Sequence, residues 1–366
     1  MLGPLEVLPY LQSRGYLTTS GAVLDDITIE DTSRRNTNLK VLRPRGTSLF
    51  LKQARDADGA AHLAHEASIY RILRADVRRD SFSRCLPRLL GYDAIEHILV
   101  VELVRKSHSL REHYALKRRF PVALSMAVAH ALARLHRFPI KDDLVPKSSP
   151  GPPWIFSLHR PDLRHWRGLS STSLKAIEII QGNSEFCRLL NELQQEWRND
   201  ALIHFDAKWD NCIVLESSAP KYAGGLRIID WELAGLGDAC WDVGSVLADH
   251  LNLWRSSVLL SDDQTPEHCP ADVQWRLERM QPAMRAFWRT YVRFMQHEPA
   301  VADDLLVRTV RFAAVRLLQT AVEAAQVSPE LTSNIVGSMQ LSLNMLQRPM
   351  ETILHLLGIR PHASSR

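Results

Sequence analysis

Apolar periodicity changes once along this chain, and that change limits what the chain can fold into. Up to about residue 105, the segments DITIEDT, NLKVLRP, SLFLKQ, LLGYDAI and HILVVELV alternate or enrich β-formers around turn residues such as Pro44, Gly46 and Glu96-His97. A short amphipathic helix over about residues 4–14 precedes them. One helical stretch, from about Gly59 to Leu73, interrupts them with Leu63, Ala67, Ile69 and Tyr70 at helical spacing. From Pro121 the pattern is helical, beginning with PVALSMAVAHALARLHR, and it is almost entirely so from about Asp238 to Gly358. The expected fold class is α+β: a β-rich N-terminal lobe over 1–105 and a mainly helical C-terminal lobe over 106–366. A length of 366 residues, too long for one comfortable core, agrees with two lobes.

Two features interrupt the helical part. The strands CIVLE and LRIID, joined by SSAPKYAGG, predict a small hairpin set into it. Residues 141–170, with KSSPGPPW, are proline-rich and irregular, a long connection of the sort that tends to be functional.

Composition excludes several classes. Lys+Arg 45 against Asp+Glu 41 leaves a net charge of +4, and the basic residues are scattered apart from pairs such as Arg34-Arg35, Arg78-Arg79 and Arg118-Arg119. A nucleic-acid binder concentrates its positive charge, so no nucleic-acid partner is expected. The five cysteines (Cys85, Cys187, Cys212, Cys240, Cys269) form no CxxC pair and are expected as buried free thiols in a reducing compartment. Charges interrupt every apolar stretch before the ~20 residues needed to span a bilayer, and MLGPLEVLPYLQSRGY lacks a basic segment ahead of an apolar one. A cytoplasmic protein without a membrane partner is expected.

The chemistry is concentrated in ALIHFDAKWDNCIVLE, residues 201–216, where a polar loop hangs between two apolar segments. It contains His204-x-Asp206-x4-Asn211, and 19 residues after Asn211 an apolar strand ends in Asp230. Phosphoryl transfer from ATP needs little covalent help but much placement: a carboxylate to orient the attacking hydroxyl, and oxygen ligands to hold Mg²⁺ against the phosphates. This loop and strand end supply both.

H-x-D-x4-N followed by a strand-end Asp resembles the catalytic and metal-binding loops of the aminoglycoside phosphotransferase and choline kinase group, distant relatives of protein kinases. The resemblance covers about residues 25–325. It implies a bilobal protein-kinase-like fold, ATP and Mg²⁺ as cofactors, Asp206 as catalytic base, and Asn211 and Asp230 as magnesium ligands. Such a fold also needs a strand lysine for the phosphates and a helix glutamate to hold it. Lys52 in SLFLKQ and Glu66 in LAHEASIYRIL fill those places, although a surface lysine and an exposed acid are the plain alternatives. SRRNTNLKV has no glycine where a glycine-rich turn would approach the phosphates. Asn36, Thr37 and Asn38 are the candidates for a polar nucleotide loop instead. ILVVELV is the expected hinge, with backbone groups of about Glu102 to Val104 on the adenine edge. Asp242 is expected to brace the catalytic loop, a role compatible with an ordinary N-cap, and His204 to brace it without titrating.

The acceptor is less constrained. Residues 251–366 carry 12 arginines, no lysine and 11 acids, which neither demands nor excludes a cationic substrate. Lys208, two places after Asp206, occupies the position where Ser/Thr protein kinases carry a lysine that helps hold the transferred phosphate. SLHRPDLR, HFDAKWDNC and DWELAGLGDACWDVGSV look like a subgroup of these phosphotransferases found with class V lanthipeptide and thioamitide biosynthesis. That resemblance implies a ribosomally made precursor peptide, with leader and core, as substrate and a separate lyase as partner. The alternatives are a kinase of a small molecule, such as an aminoglycoside or an amino alcohol, and a pseudokinase-like scaffold without turnover.

Overall fold

The computed structural model describes residues 1–24, 26–33, 35–75, 82–140, 151–160, 168–216, 225–262 and 275–361. Its contacts group into two compact units: Met1–Leu110 with Asn211–Ala234, and Arg111–Asp210 with Gly235–Arg366. The hairpin, which the sequence reading set into the helical part, groups by its contacts with the first unit.

The first unit is built on five antiparallel strands, β1 (Thr28–Asp31), β2 (Thr37–Leu42), β3 (Leu49–Gln53), β4 (Leu89–Asp93) and β5 (Ile98–Glu102), in the order β1-β2-β3-β5-β4. Alternation fixes the two faces. Leu39 and Val41 of β2, Leu49 and Leu51 of β3, and Ile98 and Val100 of β5 form one buried cluster. It is covered by Val7 and Leu11 of α1 (Pro4–Ser13), each burial contributing roughly 1.5–3 kcal/mol. Lys52, between Leu51 and Gln53, therefore points to the opposite face.

The helix α3 (Ala57–Arg74) packs against β3, β4 and β5. Asp56 caps it, its carboxylate accepting from the Gly59 N–H at 2.7 Å. Its buried stripe runs through Leu63, Glu66, Ala67, Tyr70 and Leu73, so an acid sits in the middle of an apolar face.

The first unit also holds the short helix α2 (Thr19–Leu24), a 3₁₀ turn over Phe82–Cys85 and a three-stranded sheet, β6 (Ser107–Ser109), β8 (Cys212–Leu215) and β9 (Leu226–Ile228), in the order β6-β8-β9. The β8–β9 pair, with Cys212 opposite Ile228, is the expected hairpin. Residues 217–224 of its SSAPKYAGG turn lie outside the described residues.

The second unit is helical apart from β7 (Ala201–Ile203) paired with β10 (Gly235–Gly237). Its helices are α4 (Leu110–Lys117), α5 (Val122–His136), α6 (Ser171–Gln181), α7 (Ser184–Gln195), α8 (Ala239–Asp262), α9 (Leu277–Met295), α10 (Pro299–Val327) and α11 (Ser333–Gln347). The helices α8 and α10 approach closely at Gly244, where a Cβ would stand 2.9 Å from the backbone of Thr309 and Ala313. The 29-residue α10, about 44 Å long, also packs on α11.

Within the 141–170 connection, residues 141–150 and 161–167 lie outside the described residues, as do Arg34, Arg78 and Arg79. Residues 154–157 form a 3₁₀ turn that buries Ile155 and Phe156, so this stretch is anchored in the second unit's core. Cys85, Cys212 and Cys240 are buried and Cys187 is half-buried, while Cys269 lies outside the described residues. Among the described residues, no helix is long and apolar enough to cross a membrane.

Candidate active site

In the first unit, the alternation of β3 and the stripe of α3 bring Lys52 and Glu66 together. Lys52 Nζ donates to Glu66 Oε2 at 2.9 Å and Oε1 at 3.1 Å, and to Asp230 Oδ1 at 2.7 Å. Glu66 is 1% exposed and Lys52 12%, whereas Asp230 keeps 35% of its side chain accessible. Burial alone would lower the Lys52 ammonium, but the Glu66 and Asp230 carboxylates outweigh it and hold the group well above its ordinary range. Lys52 is thus a permanent cation, and Glu66, with Lys52 and the Trp231 N–H on its oxygens, is its buried anchor.

Asp230 is aimed by an unusual backbone. Its φ is +68°, a left-handed conformation that Asp and Asn tolerate better than other side chains. Trp231 fixes the strand end: it is fully buried, its indole N–H donates to the Ile228 carbonyl at 3.0 Å, and its ring meets Phe82 edge-on at 5.3 Å. Asn211, also buried, accepts through its backbone carbonyl from the Ile229 N–H at 3.0 Å, which ties it to the residue before Asp230.

The expected nucleotide loop is only partly a loop. Thr37 and Asn38 belong to β2, Asn38 directly opposite Lys52 in the register, and Asn36 alone precedes the strand. The turn before them is closed by side chains: Asp31 accepts from the Ser33 N–H at 2.8 Å, and the Ser33 hydroxyl accepts from the Asn38 N–H at 3.0 Å. In the expected hinge, the Glu102 N–H donates to the Arg88 carbonyl and the Leu103 N–H to that of Ser48, each at 2.8 Å. Those two donors are engaged within the unit, and the chain leaves the sheet at Val104.

The loop after β7, in the second unit, is held by buried acids from α8. Asp242 lies within the first turn of α8 and does not cap it; Asp238, ahead of the helix, accepts from the Cys240 N–H at 3.0 Å. Asp242 instead accepts from the backbone N–H groups of His204 at 2.7 Å and Phe205 at 3.0 Å. These contacts hold Phe205 at a left-handed φ of +66°, and the Trp241 indole donates to its carbonyl at 2.7 Å. His204 is fully buried and its Nδ1 accepts from the Asp206 N–H at 3.3 Å, a bracing position. Asp249, one to two turns further along α8, accepts from the Trp209 N–H at 2.7 Å and from Arg111 at 3.0 Å. Burial pushes its carboxyl up, against the pull of Arg111.

So braced, Asp206 meets two cations. Lys208 Nζ lies 2.6 Å from its Oδ2, and Arg316 of α10 donates to its Oδ1 at 2.8 Å. Sequence reasoning reached Asp206 and Lys208 but missed Arg316 and Asp249. The available signal for Arg316 was a charge inside the apolar run RFAAVRLLQTAV, on the stripe with Phe312, Ala313 and Leu317.

Removing Lys52 leaves the buried Glu66 carboxylate without its cation, which costs about 3–5 kcal/mol, whereas removing Glu66 leaves Lys52 with Asp230 and costs less. Lys52→Ala and Glu66→Ala are each expected to lower unfolding free energy and nucleotide use, and the double variant to lose far less than the sum. A double-mutant cycle on urea unfolding and on kcat/KM reads the coupling. Strict additivity in both would mean that the pair contributes nothing as a pair.

The family model described as the phosphotransferase enzyme family (APH) matches residues 30–265. Among solved structures, the chain is similar to a Plasmodium vivax ethanolamine kinase (12% identity, TM-score 0.57, 93% of this chain and 88% of that one). It is similar to a choline kinase of Cryptosporidium parvum (13%, 0.57, 99% of each) and to the ADP-bound aminoglycoside phosphotransferase APH(2'')-Ib (15%, 0.53, 94% and 99%). These likenesses carry the α+β, protein-kinase-like fold. No curated protein matches the sequence.

Proposed function

Because this chain belongs to the phosphotransferase enzyme family, we propose that it transfers the terminal phosphoryl group of ATP to a hydroxyl, and that the acceptor is a seryl or threonyl side chain of a ribosomally made precursor peptide. The observation that carries the transfer is the Lys52–Glu66–Asp230 cluster, a buried strand cation fixed by a helix acid beside a half-accessible carboxylate. Its completeness weighs against a scaffold without turnover.

In this reading Lys52 binds nucleotide phosphates, with Asn36, Thr37 and Asn38 near its strand and the backbone around Glu102 to Val104 on the adenine edge. Asp206 orients the acceptor hydroxyl and receives its proton as the new O–P bond forms and the bond to ADP breaks. Lys208 holds Asp206 and meets the transferred group.

Asn211 and Asp230 fit a magnesium ion held chiefly by phosphates. They offer an amide and a carboxylate oxygen, and a magnesium site of this kind takes one or two protein ligands together with phosphate oxygens and water. Among the described residues, no group of three His, Cys, Asp or Glu side chains makes an all-protein cage. The ion's contribution when bound is to neutralise charge on the phosphates.

A peptide acceptor is supported by Lys208, by the likeness of HFDAKWDNC and DWELAGLGDACWDVGSV to peptide-modifying members of the family, and by the need to turn a poor leaving group into a good one. A partner lyase then removes the α-proton and expels phosphate, leaving a dehydroamino acid. A second reading, transfer to a small alcohol, is supported by the named activities of the choline, ethanolamine and aminoglycoside kinases that share the fold.

With ATP, Mg²⁺ and a library of Ser- and Thr-containing peptides, mass spectrometry is expected to show peptides heavier by one phosphate. Adding the partner lyase is expected to convert them to masses lighter by one water than the starting peptides. Clean phosphorylation of ethanolamine, choline or kanamycin with no modified peptide would replace the first reading by the second.

A further inference from the structure

We infer that Arg35 is a nucleotide-binding residue that holds the outer phosphates of ATP, and that Glu232 competes with those phosphates for its guanidinium; the inference rests on the phosphotransferase reading given above. Both residues belong to the first unit. Arg35 stands in the glycine-free turn between β1 and β2, and its guanidinium lies 3.7 Å from a carboxylate oxygen of Glu232, two residues beyond Asp230. The other oxygen of Glu232 lies 3.8 Å from Nδ1 of His62. His62 precedes Glu66 by four residues on α3, so the two share a face of the helix, about 6 Å apart along its axis. One turn of that face carries Lys52 on Glu66, and the turn before it carries Arg35 beside Glu232. Two cations are thus set one turn apart, both against the segment from Asp230 to Glu232.

The turn that carries Arg35 has three of its backbone donors engaged. A glycine-rich turn meets phosphate through such N–H groups. Here the Thr32 N–H donates to the Asn38 carbonyl at 2.9 Å, the Ser33 N–H to Asp31 at 2.8 Å and the Asn38 N–H to the Ser33 hydroxyl at 3.0 Å. A guanidinium takes the place of those donors, bringing several N–H groups and a full charge at once. Arg35 can also turn to a ligand where Lys52 cannot. Lys52 is 12% exposed and hydrogen-bonded to two carboxylates, whereas Arg35 is 58% exposed and stands beyond hydrogen-bonding distance of Glu232. An exposed pair that far apart contributes little to folding, so Arg35 can leave it. Arg55, a further cation of this hairpin, donates instead to the Thr37 hydroxyl at 3.2 Å. AMP carries one phosphate, which Lys52 alone can match. ATP carries two more, and these are the ones that the second cation meets.

Affinities for ATP and AMP are measured by calorimetry without Mg²⁺, which leaves out the metal's contribution. The proteins are wild type, Arg35→Gln, Glu232→Gln, the double variant of these two, and Arg45→Gln, which removes the same charge beyond the other end of β2. Arg35→Gln is expected to weaken ATP by about tenfold or more while AMP changes by less than about twofold. Arg45→Gln is expected to leave the ATP-to-AMP ratio as it is in wild type. Glu232→Gln releases Arg35 to the phosphates and is expected to strengthen ATP, a gain that disappears in the double variant. Loss of the turn's structure would weaken both nucleotides together, and a diffuse effect of charge would show equally in Arg45→Gln. An unchanged ratio in Arg35→Gln, an equal fall in Arg45→Gln, weaker ATP binding in Glu232→Gln, a gain that survives in the double variant, or ATP binding by wild type only when Mg²⁺ is present overturns the inference. Wild type that binds neither nucleotide, with or without Mg²⁺, overturns the phosphotransferase reading itself.

Discussion

Asp206→Asn is expected to reduce phosphoryl transfer by about 10²–10⁴-fold while leaving nucleotide affinity within a few-fold of wild type. The substitution keeps the shape of the side chain and removes the charge that can take a proton from the acceptor. Lys208 and Arg316 sharpen the consequence. Each now donates to an oxygen of the carboxylate, at 2.6 and 2.8 Å, and an amide has only one oxygen to offer them. One cation is left facing an NH₂ group, so the acceptor loses both its base and the fixed orientation of that base. The backbone of the loop is held independently, by Asp242 on His204 and Phe205 and by Asp249 on Trp209, so the loop is expected to keep its course. Turnover and nucleotide affinity measured on the same preparation check this. Turnover in Asp206→Asn near the wild-type rate would remove Asp206 from the chemistry.

Asp230→Ala is expected to abolish the part of nucleotide affinity that depends on Mg²⁺. A hard divalent cation bridging phosphate oxygens wants an anionic oxygen from the protein, and Asn211 alone supplies a neutral one. The backbone complicates the alanine variant, because residue 230 sits at φ +68°, where an ordinary side chain costs about 1–2 kcal/mol. Asp230→Asn separates the two effects, since asparagine tolerates that conformation and removes only the charge. Calorimetry with ADP, with and without Mg²⁺, is expected to show a metal-dependent gain in wild type that both variants lose. Lys52 keeps its Glu66 partner in either, so metal-free affinity is expected to change little. An undiminished metal-dependent gain in Asp230→Asn would take Asp230 out of the metal site.

What the sequence by itself determined lay in short-range pattern. Alternation along SLFLKQ set Lys52 on the face away from Leu51, and the 3.6-residue stripe of α3 carried Glu66 among Leu63, Ala67 and Tyr70, so the strand cation and helix acid that the family resemblance calls for fell on facing surfaces. Elements with many periods were legible for the same reason. The three-residue strands β6, β7 and β10 were not, because so few residues complete too few alternations to rise above their surroundings, while β9, equally short, was legible within the longer β-former run LRIID.

Tertiary structure decided what joins residues far apart in the chain. Asp242 reads locally as a helix-start acid; only the packing of α8 beside β7 turns its carboxylate onto the His204 and Phe205 N–H groups. Thr37 and Asn38 read as loop, and only the β2–β3 register places Asn38 in the ladder opposite Lys52. Arg316 reads as an interruption of an apolar helix, and its partner lies 110 residues earlier. Local periodicity reports which face of an element is buried, but not which element covers it, and the partner of a buried charge is chosen by that second fact.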